Sequence, residues 1–392
     1  MQIQSIYTNN FKSLVDFNID LSKFTCLVGL NGAGKSTVLQ FIDFIGQQTR
    51  GDIDGWLKER HWKPGDLNSR LTKKRTIEFA LSLTSSEGEE GVHWKATFNP
   101  SLKHCTYEFI STPRATLVVE GGRLRISDLT SDSPDHDTDD KVNFSYQGSV
   151  LSQLKDEALP TSLVGFKNYF STINSLDLLS PEHLRQRTRD SDGTLGLGGQ
   201  NLSSFLHEMR PPSRLDLITK LKQVYPQLEG VAAKSLRSGW KQLEIAEKYE
   251  GRESGFFPQM NTEARHVNDG MLRLIAILAS LTSENRFLLF DEIENGMNPE
   301  LVEFVLNQLV SARQQIVVTT HSPMILNYLD DDVARRGVIY LYKTPSGRTH
   351  AIPFFSIPSL AEKLTVMGPG EAFVDTNLIA LAEEIKLITE AG

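Results

Sequence analysis

The stretch "LVGLNGAGKSTVLQFI", residues 27–42, decides the fold. From Gly29 to Thr37 it reads GLNGAGKST, a complete GxxxxGK[ST] phosphate loop. An apolar strand, FTCLVG, runs into the loop, and a helix-patterned segment, STVLQFIDFI, leaves it. Glycines let backbone N–H groups converge on a polyphosphate, and the start of the following helix adds the positive end of its dipole. The cradle comprises Asn31, Gly32, Ala33, Gly34, Lys35, Ser36 and Thr37. Lys35 is expected to reach the β- and γ-phosphates, and Ser36 to ligate Mg²⁺. By itself the loop specifies a nucleoside triphosphate and says nothing of purpose.

A second element lies far downstream in "NRFLLFDEIENGMNPE", residues 285–300. Phe287 to Phe290 is a short unbroken apolar run, as expected of a parallel strand buried on both faces. Asp291 and Glu292 end it. An acid at the carboxyl end of such a strand can hold Mg²⁺, and the next acid can orient the attacking water. Asp291 is therefore assigned to the metal and Glu292 to the water. In "QQIVVTTHSPMIL" a further strand, Ile316 to Thr320, delivers His321 at its end. Ligands bind at the carboxyl ends of strands in open α/β sheets, so His321 is assigned to sensing the γ-phosphate.

Composition sets the limits. A chain of 392 residues is long enough for two or three ordinary domains, or one large α/β core with insertions. No apolar run reaches the ~20 residues needed to span a bilayer, and "MQIQSIYTNNFKSL" lacks the basic-then-apolar order of a signal peptide. A cytoplasmic protein without membrane contact is expected. Cys26 and Cys105 stand in apolar or strand-like surroundings without metal-ligand spacing, which reads as two buried thiols. A net charge of −8 argues against a uniformly basic nucleic-acid surface and leaves room for a local patch.

Residues 266–281, "HVNDGMLRLIAILASL", combine the capping residue Asn268 with Asp269, Gly270 and an apolar helix pattern. An exposed start to this helix would form an anion site. In order, "NFKSL", "GLNGAGKST", "VNDGMLRL", "LLFDEIENGMNP" and "VVTTHSP" resemble the SMC, RecF and OLD class of ATP-binding-cassette ATPases. The likeness covers residues 1–50 and 262–345, with Asn268 where the class usually has serine. It implies ATP and Mg²⁺ as cofactors, with Glu292, His321 and Lys35 catalytic. It further implies a homodimer or higher oligomer in which Asn268, Asp269 and Gly270 of one protomer meet the γ-phosphate held by the other.

Ser36 and Asn268 are separated by 231 residues, so the head is expected to carry a large insertion. Residues 74–150 alternate apolar and polar positions between turns and read as an antiparallel lobe. The acidic run at 131–140 reads as a solvated loop. Residues 150–230 read as mostly helical, through SVLSQLKDEAL, TSLVGFKNYFSTINSL, NLSSFLHEM and SRLDLITKLKQVY, with WKQLEIAEKYEG returning to a sheet. The glycine-rich RDSDGTLGLGGQ has no GK[ST] and reads as a connector. No sustained heptad supports a coiled-coil arm.

The fold class expected is α/β, a P-loop ABC-type ATPase head with an antiparallel β-lobe and a helical insertion. Its expected parts are 1–73, the first segment of the head with the phosphate loop; 74–150, the β-lobe; 151–261, the mainly helical insertion; 262–345, the second segment of the head with signature, acid strand and switch histidine; and 346–392, a C-terminal hairpin strand and tail. The 71 residues after His321 are too few for the additional nuclease domain that members of the OLD class carry. The resemblance implies a regulatory ATPase in prokaryotic anti-phage defence, working with a separately encoded nuclease or toxin effector. Two alternatives stay open: a RecF-like repair ATPase that grips DNA, and a transporter or ribosome-associated cassette ATPase, which the missing LSGGQ disfavours.

Overall fold

The computed structural model describes residues 1–84, 90–129, 138–176, 179–190, 193–249 and 259–391. Two compact units emerge, one of residues 1–174, 331–367 and 375–392, the other of residues 175–330 and 368–374. Both ends of the chain lie in the first.

An eight-stranded sheet dominates the first unit, in the order Phe17–Asp20, Gln2–Asn9, Ile77–Thr84, Glu90–Asn99, His104–Thr112, Ala115–Glu120, Arg123–Asp128 and Thr138–Lys141. Every pairing is antiparallel. Strand Ile77–Thr84 shows why: Ile77, Phe79, Leu81 and Leu83 are buried while the residues between them are partly exposed. The expected lobe is thus present, and it extends beyond 74–150 to include the first two strands of the chain.

Helix Lys35–Arg50 lays Phe41 and Phe44 against Phe79, and Phe44 against Phe98, with ring centroids 5.0–6.5 Å apart. Trp94 meets Phe166 and Phe170 of helix Thr161–Ser171 on the same apolar face. Strand Phe24–Val28 is buried at all five positions. It pairs in parallel with Val338–Lys343, which forms an antiparallel hairpin with Thr349–Pro353. Cys26 and Cys105 are both buried thiols, as expected.

In the second unit, strands Phe287–Phe290 and Gln315–Thr319 pair in parallel around helix Pro299–Val310, a βαβ unit with both strands fully buried. Helix Asp269–Leu281 is buried from Gly270 to Ser280. Helices Leu202–Glu208 and Pro211–Val224 precede a three-stranded antiparallel sheet of Leu228–Ser235, Lys241–Lys248 and Gln259–Glu263.

That sheet corrects the reading of 151–261 as mainly helical. Leu228, Val231, Gln242, Leu243 and Ile245 are buried in it, and Leu228–Ser235 buries too few residues for a clear period-two pattern. Residues 149–159 form two 3₁₀ turns rather than a helix, because Lys155 is extended between them. The following helix stops at Ser171, where the Arg50 guanidinium takes the carbonyls of Ser171 and Ile173. Of the acidic run, residues 131–137 lie outside the described residues, and Asp139 pairs with Arg123 on a strand. Within RDSDGTLGLGGQ, residues 191–192 also lie outside them. Among the described residues no helix is long and apolar enough to cross a membrane.

Candidate nucleotide site

The phosphate loop joins strand Phe24–Val28 to helix Lys35–Arg50 in the first unit. Gly29 and Gly34 have φ of +144° and +114°, conformations that favour glycine. Neither has room for a side chain: a Cβ on Gly29 would lie 2.3 Å from the Leu341 carbonyl oxygen, and one on Gly34 2.5 Å from Thr349 Oγ1. Asn31, Gly32 and Ser36 are exposed, while Ala33 and Lys35 are buried. Lys35 Nζ donates to the Gly29 carbonyl at 2.7 Å and the Leu30 carbonyl at 3.4 Å, which brings its ammonium inside the loop. No acid stands in the first helical turn, so the positive helix end is left to attract an anion.

The acids follow strand Phe287–Phe290 in the second unit. Thr319, fully buried on the neighbouring strand, organises them: its hydroxyl donates to Asp291 Oδ1 and accepts from the Glu292 N–H at 2.9 Å. Glu292 holds φ +48°, uncommon for a residue with a side chain, and the tight turn is pinned by the Ile293 N–H donating to the Thr319 carbonyl at 3.2 Å. The carboxylate that results lies 3.3 Å from His321 Nε2 and accepts from Asn295 Nδ2 at 3.3 Å. Glu294 fixes the histidine's backbone, its Oε1 accepting from the N–H groups of His321 at 2.7 Å and Ser322 at 3.1 Å. Asp291, Glu292 and His321 therefore form one constellation.

Arg273 ties the signature helix to that constellation. Its guanidinium donates to the Glu292 carbonyl at 3.4 Å and the Leu179 carbonyl at 3.3 Å. Burial pulls its pKa below the ordinary arginine range, and the charges of Glu292, Glu294 and Asp269 oppose that shift. Asn268 caps the helix, its side chain accepting from the Met271 N–H at 2.8 Å. Asn268 and Asp269 are exposed, with Asp269 paired to Arg185. Gly270 is not at an exposed helix start: it is buried, and a Cβ there would lie 3.0 Å from the Gly296 carbonyl oxygen. The glycine serves close packing between the helix and the turn after the acid strand.

Sequence reasoning missed Thr319, Glu294, Arg273 and Thr349. The doubled threonine of VVTTHSP was the available signal for the first; the others act through contacts distant in sequence. A hydroxyl and a carboxylate, Ser36 and Asp291, are hard oxygen donors of the kind Mg²⁺ accepts beside phosphates and water. Each is suited to such an ion within its own unit, and the Thr319 hydroxyl orients the Asp291 carboxylate.

Two family models match separate segments. Residues 1–87 match one described as "AAA ATPase domain", and residues 253–327 one described as "AAA domain, putative AbiEii toxin, Type IV TA system". No curated protein matches the chain in sequence. Among solved structures, an SMC head bound to the C-winged helix domain of ScpA aligns with a TM-score of 0.55 at 15% identity, over 90% of this chain and 98% of that one. An SMC head with an extended coiled coil, bound to the C-terminal domain of ScpA derived from Pyrococcus furiosus, gives 0.50 at 14%, over 93% and 99%. The chain thus has the fold of an SMC-like ABC-class ATPase head, and two of its segments are similar to ATPase family models.

Proposed function

We propose that this head binds ATP with Mg²⁺, hydrolyses it slowly, and uses it to close a dimer that regulates a separate effector in prokaryotic anti-phage defence. The observation that carries the reading is the Glu292–His321 pair, a carboxylate and an imidazole 3.3 Å apart at the end of a buried strand. Lys35 and the loop N–H groups hold the phosphates. Glu292 orients the attacking water and takes its proton, while His321 reads the γ-phosphate. Ser36 and Asp291 would hold Mg²⁺, which neutralises charge developing on the phosphates when bound. Asn268, Asp269 and Gly270 present the helix end to the partner protomer's nucleotide. The buried Gly270 contributes backbone there, and the exposed Asn268 and Asp269 contribute side chains.

The toxin-system description of the model matching residues 253–327 supports a defence role. Two solved heads carrying a ScpA domain support a separate protein partner. The test is nucleotide binding and turnover in two variants. Lys35→Ala should lose ATP binding, whereas Glu292→Gln should keep it and lose turnover about 100-fold or more. Wild-type turnover by Glu292→Gln would refute the assignment.

One observation favours the second reading, a DNA-binding head resembling RecF. Arg187, Arg189, Arg237 and Trp240 are exposed, and the Arg189 guanidinium lies 4.9 Å from the Trp240 ring. Thr188 bridges to Lys241, which brings the Arg187–Arg189 segment beside this hairpin. Cations with an exposed aromatic suit a nucleic-acid backbone and base. ATP-dependent DNA binding that weakens steeply with salt would favour this reading over the first.

A further inference from the structure

We infer that Thr349 is a positioning residue for the phosphate loop, a hydroxyl latch carried on the C-terminal hairpin; this rests on reading that loop as the ATP site. Thr349 opens strand Thr349–Pro353 and is fully buried. Its hydroxyl donates to the Ala33 carbonyl at 2.9 Å and lies 2.8 Å from Ser13 Oγ. The Thr349 hydroxyl has one proton and faces two acceptors; a carbonyl can only accept, so with that proton on Ala33 the Ser13 contact holds only when the Ser13 hydroxyl donates. The Thr349 N–H also donates to the Ser13 carbonyl, at 3.0 Å. Ser13 is held in turn by the NFKSL turn, where Phe11 and Leu14 exchange backbone hydrogen bonds of 3.0 and 2.7 Å.

The consequence follows from peptide geometry. A trans peptide is planar, with its carbonyl and N–H pointing in opposite directions. Fixing the Ala33 oxygen on Thr349 therefore turns the Gly34 N–H away from the hairpin, where it is available to a phosphate. Without that restraint the 33–34 peptide could rotate cheaply, because Gly34 tolerates both signs of φ. The residue that gives the loop its shape also makes it easy to lose. Thr349 removes that freedom by filling the space a Gly34 side chain would occupy.

Calorimetric titration with ATP and with ADP, on the full chain, tests the latch. Thr349→Val keeps the shape and deletes the hydroxyl; both affinities should fall about 3- to 10-fold, the worth of one hydrogen bond. Thr349→Ser restores the hydroxyl and should recover most of the loss. Turnover at saturating ATP should stay within about twofold of wild type, since the latch acts on binding. Wild-type affinity in Thr349→Val, or an equal loss in Thr349→Ser, would overturn the proposal. Should Thr349→Val fail to fold, Ser13→Ala decides alone: a loss of about twofold or more supports the latch, and unchanged affinity overturns it. Lys35→Ala run alongside separates the two claims, because equal ATP binding by it and wild type would sink the ATP-site reading itself.

Discussion

Glu108 makes the stability of this protein depend on pH in a direction opposite to that of a salt-bridged carboxylate. It is fully buried on strand His104–Thr112. One oxygen accepts from Trp94 Nε1 at 3.0 Å and the other from the Val150 N–H at 3.1 Å. Burial pushes its pKa from 4.5 to about 7, against hydrogen bonds from Ser149, Val150 and Trp94 that lower it. Between those values the folded chain keeps a proton that the unfolded chain has released. Its contribution is therefore full below the unfolded value and is lost as pH rises through about 7. At about 1.4 kcal/mol per pH unit, that interval amounts to about 3 kcal/mol. Urea unfolding of wild type and Glu108→Gln, from about pH 4.5 to about pH 8, should show the wild type losing that much relative to the variant. A glutamine amide facing the Val150 N–H adds a constant offset, so the slope carries the information. Burial pushes the Cys105 thiol and the Tyr146 hydroxyl up, which keeps both protonated across the window. Parallel curves for the two proteins would refute the reasoning.

His321→Ala should slow turnover about 10-fold or more while ATP affinity stays within about twofold, measured by steady-state kinetics beside equilibrium titration; equal loss of both would make the histidine structural. Gly270→Ala should destabilise the second unit by about 1–3 kcal/mol, because its Cβ would lie 3.0 Å from the Gly296 carbonyl oxygen, and thermal melting reads this directly. An unchanged melting temperature would mean that the turn after the acid strand yields without cost.

The phosphate loop and acid strand were legible because their chemistry demands fixed residue types at fixed spacings within one short segment. Gly29, Gly34 and Lys35 meet that demand, as do the apolar run Phe287–Phe290 and the acids that end it. Periodicity likewise revealed the antiparallel lobe, whose strands bury one face. What stayed hidden depends on partners remote in sequence. Gly270 looked like an exposed helix start, and only the Gly296 carbonyl packed against it shows otherwise. Thr349 looked like any residue opening a strand until its hydroxyl was seen on Ala33. Strand Leu228–Ser235 carries two alanines and a glycine, too little apolar patterning to stand out from the helices before it.

ATP-dependent assembly is the central claim, and the mass of Glu292→Gln in solution tests it most directly, because that variant should hold ATP without consuming it. Light scattering with ATP and Mg²⁺ should report a doubling of mass that disappears without nucleotide and is absent in Lys35→Ala. A Glu292→Gln chain that binds ATP to saturation and keeps its nucleotide-free mass would contradict the account.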